Sequence, residues 1–173
     1  MKKLLCVGLA AFALIGAAIA PTWAAGEKII LVSHAPDSDS WWNTIKNGLA
    51  LAGKQVGAEV EYRNPTTGDI GDMARIIEQA AASKPQGIIT TLADFDVLSG
   101  PIKNAVAKGI PVIIINSGTP EQAAEVGALM YVGQPEYDAG LAAGQRAKRD
   151  GVKSFLCVNH VVSNPVVGER CRG

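Results

Sequence analysis

"QGIITTLADFDVLSGPIKNAVAKGIPVIIIN", residues 86–116, holds two apolar runs separated by a helix-sized interval. QGIITTL (86–92) and IPVIIIN (110–116) are short and rich in Ile and Val, the pattern of buried strands. Between them Ser99 and Pro101 mark a helix start, and Gly109 marks its stop. A buried strand, a helix and a second buried strand make a βαβ unit, which requires the two strands to run parallel.

The alternation continues in both directions. Upstream, EKIILVS (27–33) and AEVEYRN (58–64) read as strands. In 41–56 the residues Trp41, Ile45, Leu49, Ala52 and Val56 recur at helical spacing before Gly57. In 70–83 Met73, Ile76, Ile77 and Ala80 form a second stripe, with Asp69 placed to cap it. Downstream, 117–127 reads as a loop with one helical turn and ALMYVGQ (128–134) as a strand. Residues 135–151 form a helix whose Gly140, Ala143, Gly144 and Ala147 line one face and allow a close neighbour. Residues 152–165 return to a strand with a polar end, and VVGERCRG opens a further helix. The fold class is therefore α/β, a parallel sheet with helices on both faces. A last helix of so few turns, after one strand and one helix, does not close a core, so a truncated chain is expected.

The first residues lie outside that pattern. MKK is a basic start, LLCVGLAAFALIGAAIA an apolar run, and Thr22-Trp23-Ala24 a cleavage site of the small-x-small type. Residues 1–24 read as a signal peptide, and Cys6 lies too early in it for lipid attachment. The full chain has 16 basic and 16 acidic residues, so losing Lys2 and Lys3 leaves 14 against 16, a net charge of −2. No basic patch faces nucleic acid. In an exported chain Cys157 and Cys171 are an even pair, either a disulfide or two buried thiols.

Ligands of an open parallel sheet bind beyond the carboxyl ends of its strands. There the sequence places Ser33 and His34, then Asp94 and Asp96, then Asn116 and Ser117, and finally Asn159, His160, Ser163 and Asn164. Asp37 and Asp39 read as solvated loop carboxylates, and Asp94 and Asp96 as helix caps or acceptors of ligand hydroxyls. There is no Gly-x-Gly-x-x-Gly after the first strand, no phosphate-loop lysine motif and no Gly-x-Ser-x-Gly, so no cofactor is expected. His34 and His160 stand far from any carboxylate cluster with ligand spacing, which argues against a metal.

The order of elements, the Trp pair after LVSHAPDSDS, GIITTLADFD, AKGIPVIIINSG and YVGQPEYDAGLAAGQRAK together resemble the periplasmic sugar-binding proteins of ABC transporters, of the ribose- and galactose-binding type. The resemblance runs from about residue 27 to the end. It implies a type I two-lobe architecture, cut short here, with residues 25–132 in the first lobe and 133–173 opening the second. It also implies a sugar or polyol held between the lobes and delivered to a membrane permease, with a chemoreceptor or sensor kinase as further partners. The protein would be periplasmic, and monomeric when full length.

Ser40, Trp41 and Trp42 occupy the place where relatives stack an aromatic ring on the sugar. Trp41 falls on the apolar helical stripe, whereas Trp42 is offset by about 100° and is the ring freer to face a ligand. Asn116 and Ser117 stand where many relatives have Asp-Arg, which leaves the identity of the sugar open. Gly168 lacks the side chain of an Arg common at that place, and Asn164 or His160 is the substitute donor. Against the binding protein stand two other readings, an exported α/β enzyme acting on a small polar substrate and a repressor ligand domain, the latter opposed by the signal peptide and by the missing basic helix-turn-helix.

Overall fold

The computed structural model describes residues 26–159 and 164–173. The expected signal peptide and His160 lie outside the described residues. Five strands, β1 (Lys28–Val32), β2 (Glu59–Arg63), β3 (Gly87–Thr90), β4 (Val112–Ile115) and β5 (Met130–Val132), form one sheet in the order β2-β1-β3-β4-β5. Every neighbouring pair is parallel. The helices are α1 (Trp42–Val56), α2 (Ile70–Ala82), α3 (Phe95–Ala107), α4 (Pro120–Glu125), α5 (Glu136–Arg149) and α6 (Pro165–Arg172).

Period-two alternation divides the strand residues between two faces. Ile30, Val32, Ile88, Val112 and Ile114 join Met73 and Ile77 of α2 and Leu98 and Ile102 of α3 in the main core. Leu31, Ile89 and Ile115 point the other way, toward Trp42, Ile45 and Leu49 of α1. On that second face Met130 and Val132, in register with Ile113 and Ile115, remain exposed. The β2 edge is guarded differently. Lys28 Nζ at 2.8 Å and Arg63 Nε at 2.7 Å hold the Glu61 carboxylate and pull its pKa down to about 2. Charges of this kind discourage edge-to-edge pairing.

Helix ends follow local chemistry. Asp69 caps α2 by accepting from Asp72 N–H at 2.8 Å, and Gly57 ends α1 in the left-handed region at φ 74°. Three expectations need correction. Helix α3 begins at Phe95, four residues before Ser99, because the Asp94 side chain caps it by accepting from Val97 N–H at 3.1 Å, and Pro101 sits inside the helix. The buried stripe of α1 runs through Trp42, Ile45, Leu49 and Gly53, with Ala52 and Val56 exposed. Gly53 permits this register, since a Cβ there would lie 2.7 Å from a Val60 methyl of β2. Residues 152–158 form no strand: backbone becomes a strand only by pairing in a ladder, and the described sheet consists of β1 to β5. Leu156 is 94% exposed.

Candidate functional site

The crossovers from β1 lead to β2 on one side and from β2 to β3 on the other, so the sheet changes direction between β1 and β3. Ligands of such sheets gather beyond the strand ends at that point. Ser33 and His34 follow β1 there, and Thr91 follows β3. Thr91 Oγ1 accepts from the His34 backbone N–H at 3.2 Å and meets His34 Nδ1 at 2.9 Å. Ser33 Oγ lies 2.5 Å from the Tyr62 hydroxyl. Burial pushes the His34 pKa down, with nearby Asp39 opposing it, so the ring is neutral at pH 7.

Trp42 stands edge-on to His34, with ring centroids 5.6 Å apart, and to Trp41 at 5.4 Å. The two rings exchange the roles expected from helical spacing: Trp42 is 3% exposed and belongs to the core, while Trp41 is 55% exposed. Trp41 is the cap residue of α1 and lies outside its buried stripe. The loop before it is held in place. Asn64 Nδ2 donates to Ala35 O at 2.9 Å and to Asp37 Oδ1 at 2.8 Å, and Asp39 Oδ1 accepts from Trp41 N–H at 3.0 Å. Asp37 is exposed, as expected of a solvated carboxylate, and also accepts from Asn64. Ser40 is exposed beside Trp41.

A second group assembles at the end of β4. Asn116 has φ 61°, a conformation that costs energy for a residue with a Cβ. It persists because its surroundings over-determine it: its N–H donates to Val132 O at 3.0 Å, and its carbonyl accepts from Tyr131 Oη at 2.9 Å. Ser117 N–H closes a tight turn onto Ile115 O at 2.7 Å. Gly118 follows at φ 112°, and a Cβ there would lie 3.0 Å from Leu92 Cβ. Asn164 Nδ2 reaches Ser117 Oγ at 3.3 Å, joining the cap of α6 to the end of β4. The two groups touch through Leu92 N–H, which donates to Ser117 O at 2.9 Å. Asp94 sits between them as the α3 cap.

Beyond α5 the chain is stapled by a Cys157–Cys171 disulfide, Cα atoms 5.7 Å apart. Helix α6 lies on the small-residue face of α5 at Gly140, where any Cβ would strike the Arg170 carbonyl. The Arg170 guanidinium pairs with Glu136.

Sequence reasoning missed Thr91, Tyr62 and Asn64. Each follows directly from strand position: Thr91 and Asn64 leave the carboxyl ends of β3 and β2, and Tyr62 alternates onto the α1 face of β2. A surface depression of about 230 Å³ borders the site at Asn64 and runs to Asp72 and Arg75, another of about 530 Å³ lies by Lys84, Pro85 and Lys108, and neither includes Trp41 or His34.

The His34–Thr91 contact has the look of a base beside a nucleophile, but Thr91 is 0% exposed and no substrate reaches its hydroxyl. Among the described residues no three His, Cys, Asp or Glu side chains converge to hold a metal. Because the folded His34 pKa lies below its ordinary 6.5, the unfolded chain takes up the proton first as pH falls. His34 therefore leaves stability intact above about pH 6.5 and erodes it as pH drops from there toward the lowered folded value. Melting temperatures between pH 7.5 and 5.5 should fall less steeply in His34→Gln than in the parent, and equal slopes would show that His34 does not titrate in this way.

A parallel sheet of this order, with an exposed indole and neutral polar groups at its switch point, defines an α/β domain built to bind a small molecule. Residues 29–173 match the periplasmic binding protein domain, and the chain belongs to that family. It is 37% identical to a carbohydrate transporter from Acidothermus cellulolyticus 11B solved in complex with myo-inositol, covering 85% of this chain and 50% of that one at a TM-score of 0.80. It is 29% identical to a glucose-galactose binding protein from Geobacillus stearothermophilus, over 86% and 52% of the two chains at a TM-score of 0.74. An arabinose binding protein from the same organism is 28% identical over 85% and 49%, at a TM-score of 0.67. The chain thus spans about half the length of these solved relatives. The family and these neighbours are binding proteins, not enzymes.

Proposed function

We propose that this chain supplies one wall of a site for a neutral sugar or polyol in an exported solute receptor that serves an ABC permease. The observation that carries this reading is the Trp41 indole, 55% exposed at the start of α1, beyond the carboxyl end of β1, with the exposed Ser40 next to it in the chain and the Asp39 carboxylate accepting from its backbone N–H. The C–H face of a sugar or cyclitol ring is apolar and its rim is hydroxyl, so a flat ring beside short polar side chains complements both. Charge narrows the class. His34 is neutral, and Asp37, Asp39 and Asp94 lie near the same edge, so phosphorylated and acidic sugars are disfavoured. The likeness to a protein solved with myo-inositol adds cyclitols to the first candidates.

On this reading residues 25–132 belong to the first lobe and 133–173 to the start of the second. Asn116, Ser117 and Asn164 sit where the two meet. The permease, a chemoreceptor or a sensor kinase would read the closed state, and the site of action would be the periplasm. Titration calorimetry against a panel of pentoses, hexoses, cyclitols and their phosphates tests the assignment. Saturable binding of a neutral member with no binding of its phosphate supports it, and tighter binding of the phosphates would overturn it.

A further inference from the structure

Asn64 follows β2 and lies half-buried beside the loop that carries Trp41. Its Nδ2 donates to the Ala35 carbonyl at 2.9 Å and to Asp37 Oδ1 at 2.8 Å, with Pro65 O farther off at 3.3 Å. A carbonyl and a carboxylate only accept, so the amide must turn its nitrogen, and not its oxygen, toward both. The same corner is tied a second time, by Asp37 N–H donating to Thr66 O at 3.1 Å. Gly68 lets the two loops meet there: it has φ 80°, and a Cβ on it would lie 3.3 Å from Pro36 Cδ. From Asp37 onward a series of short-range bonds leads to the indole. Asp39 N–H donates to Pro36 O at 3.1 Å, Asp39 Oδ1 accepts from Trp41 N–H at 3.0 Å, and the Asp39 carbonyl accepts from Trp42 N–H at 3.3 Å. Trp42 is buried and anchors the far end, whereas Asp37, Ser38 and Ser40 between the anchors are exposed. Among the described residues, the side-chain hydrogen bonds that reach 35–41 from another element come from Asn64. Bonds within a loop fix its shape; its bearing on the sheet is fixed by a link to a neighbouring strand end.

We infer that Asn64 is a positioning residue for Trp41: its two hydrogen bonds let the end of β2 set the path of residues 35–41, and with it the direction in which the indole faces. The consequence for a ligand rests on the sugar- or polyol-binding reading; the ordering of the loop does not. A loop held in advance does not have to be ordered when a sugar lies against the ring, so less of the contact energy is lost to conformational entropy.

The test reverses the donor. Asn64→Asp keeps the shape of the side chain but sets a carboxylate against the Ala35 carbonyl and the Asp37 carboxylate, so that acceptors face acceptors. Adding Asp37→Asn to it returns a donor to the contact, now from the loop side. NMR relaxation reads the result without any ligand. Backbone order parameters at 37–40 should stand near about 0.85 in the parent, drop below about 0.6 in Asn64→Asp and recover in the double variant. Asp37→Ala removes one of the two bonds from an exposed position that the fold does not depend on, and should lower the same values part of the way. It decides the matter if Asn64→Asp does not fold. A parent already mobile at 37–40, or values unmoved in the single variants, would overturn the inference. So would a loss that the double variant fails to recover, since that marks Asn64 as packing and not as a donor.

The functional readout is calorimetry with myo-inositol, glucose, galactose and arabinose on variants that melt near the parent. Affinity for the sugar that the parent binds should fall about tenfold in Asn64→Asp and return to within about threefold in the double variant. Equal affinity in the parent and in an Asn64→Asp whose loop has loosened sinks the positioning role. Failure of all four to bind the parent counts against the proposed function instead, and the order parameters then decide alone whether Asn64 holds the loop.

Discussion

Trp42→Ala should lower the unfolding free energy by about 3 kcal/mol, toward the low end of the range for emptying a large aromatic site. Trp42 is the largest side chain in the smaller cluster, packed with Leu31, Ala35, Ile45, Leu49 and Tyr62. It also holds edge contacts to His34 and Trp41 that an alanine cannot make. The face it fills is only partly shielded, since Ile89 and Ile115 beside it are half-buried, so relaxation and water entry keep the cost below the maximum. Urea unfolding with an unchanged slope is the measurement, with Trp42→Phe expected to cost about 1 kcal/mol as the volume control. A loss under about 1 kcal/mol in the alanine variant would mean that α1 does not pack in this register.

Trp41→Ala should do the reverse. Stability should fall by no more than about 1 kcal/mol, the worth of one edge-on aromatic contact. Affinity for the cognate sugar or polyol should fall about tenfold or more, because the exposed ring is the flat surface on which a pyranose or cyclitol would lie. Trp41→Phe retains a ring and should keep most of the affinity, while Trp41→Ala removes it. Calorimetry on variants first shown to melt near the parent separates this loss from misfolding. Equal affinity in Trp41→Ala and the parent would take the platform away from this residue and leave recognition to the hydrogen-bonding groups at the ends of β1, β3 and β4.

The difference between these two neighbouring residues shows where sequence reading stops. Helical spacing draws Trp41 with Ile45 and Leu49, whereas the fold buries Trp42 with Ile45, Leu49 and Gly53. Both registers are periodic, and only the approach of α1 to Val60 of β2 at Gly53 selects the second. Periodicity reports that a helix has a buried stripe; its phase depends on the surface against which the helix lies. The start of α3 slipped for a related reason. Ser99 and Pro101 carry strong local signals, but Asp94 lies three residues before the Val97 N–H that it caps, and the whole first turn follows from that bond.

From the sequence by itself came the strands β1 to β5 and their parallel arrangement, the approximate places of the helices between them, and the carboxyl edge as the place to look for a ligand site. Those follow from short-range patterning: runs of Ile and Val too short for helices, stripes at helical spacing, and caps and glycines at the joins. The α/β class needed no tertiary information, because helix and strand alternating at this interval can bury their apolar faces in few other ways. Tertiary structure alone decided which indole faces out, that Thr91 and Tyr62 hold His34 and Ser33, and that Asn164 meets Ser117 from 47 residues away in the chain. It also left 152–158 outside the described sheet despite its apolar pattern, because a strand is a property of two segments and the sequence of one cannot supply its neighbour.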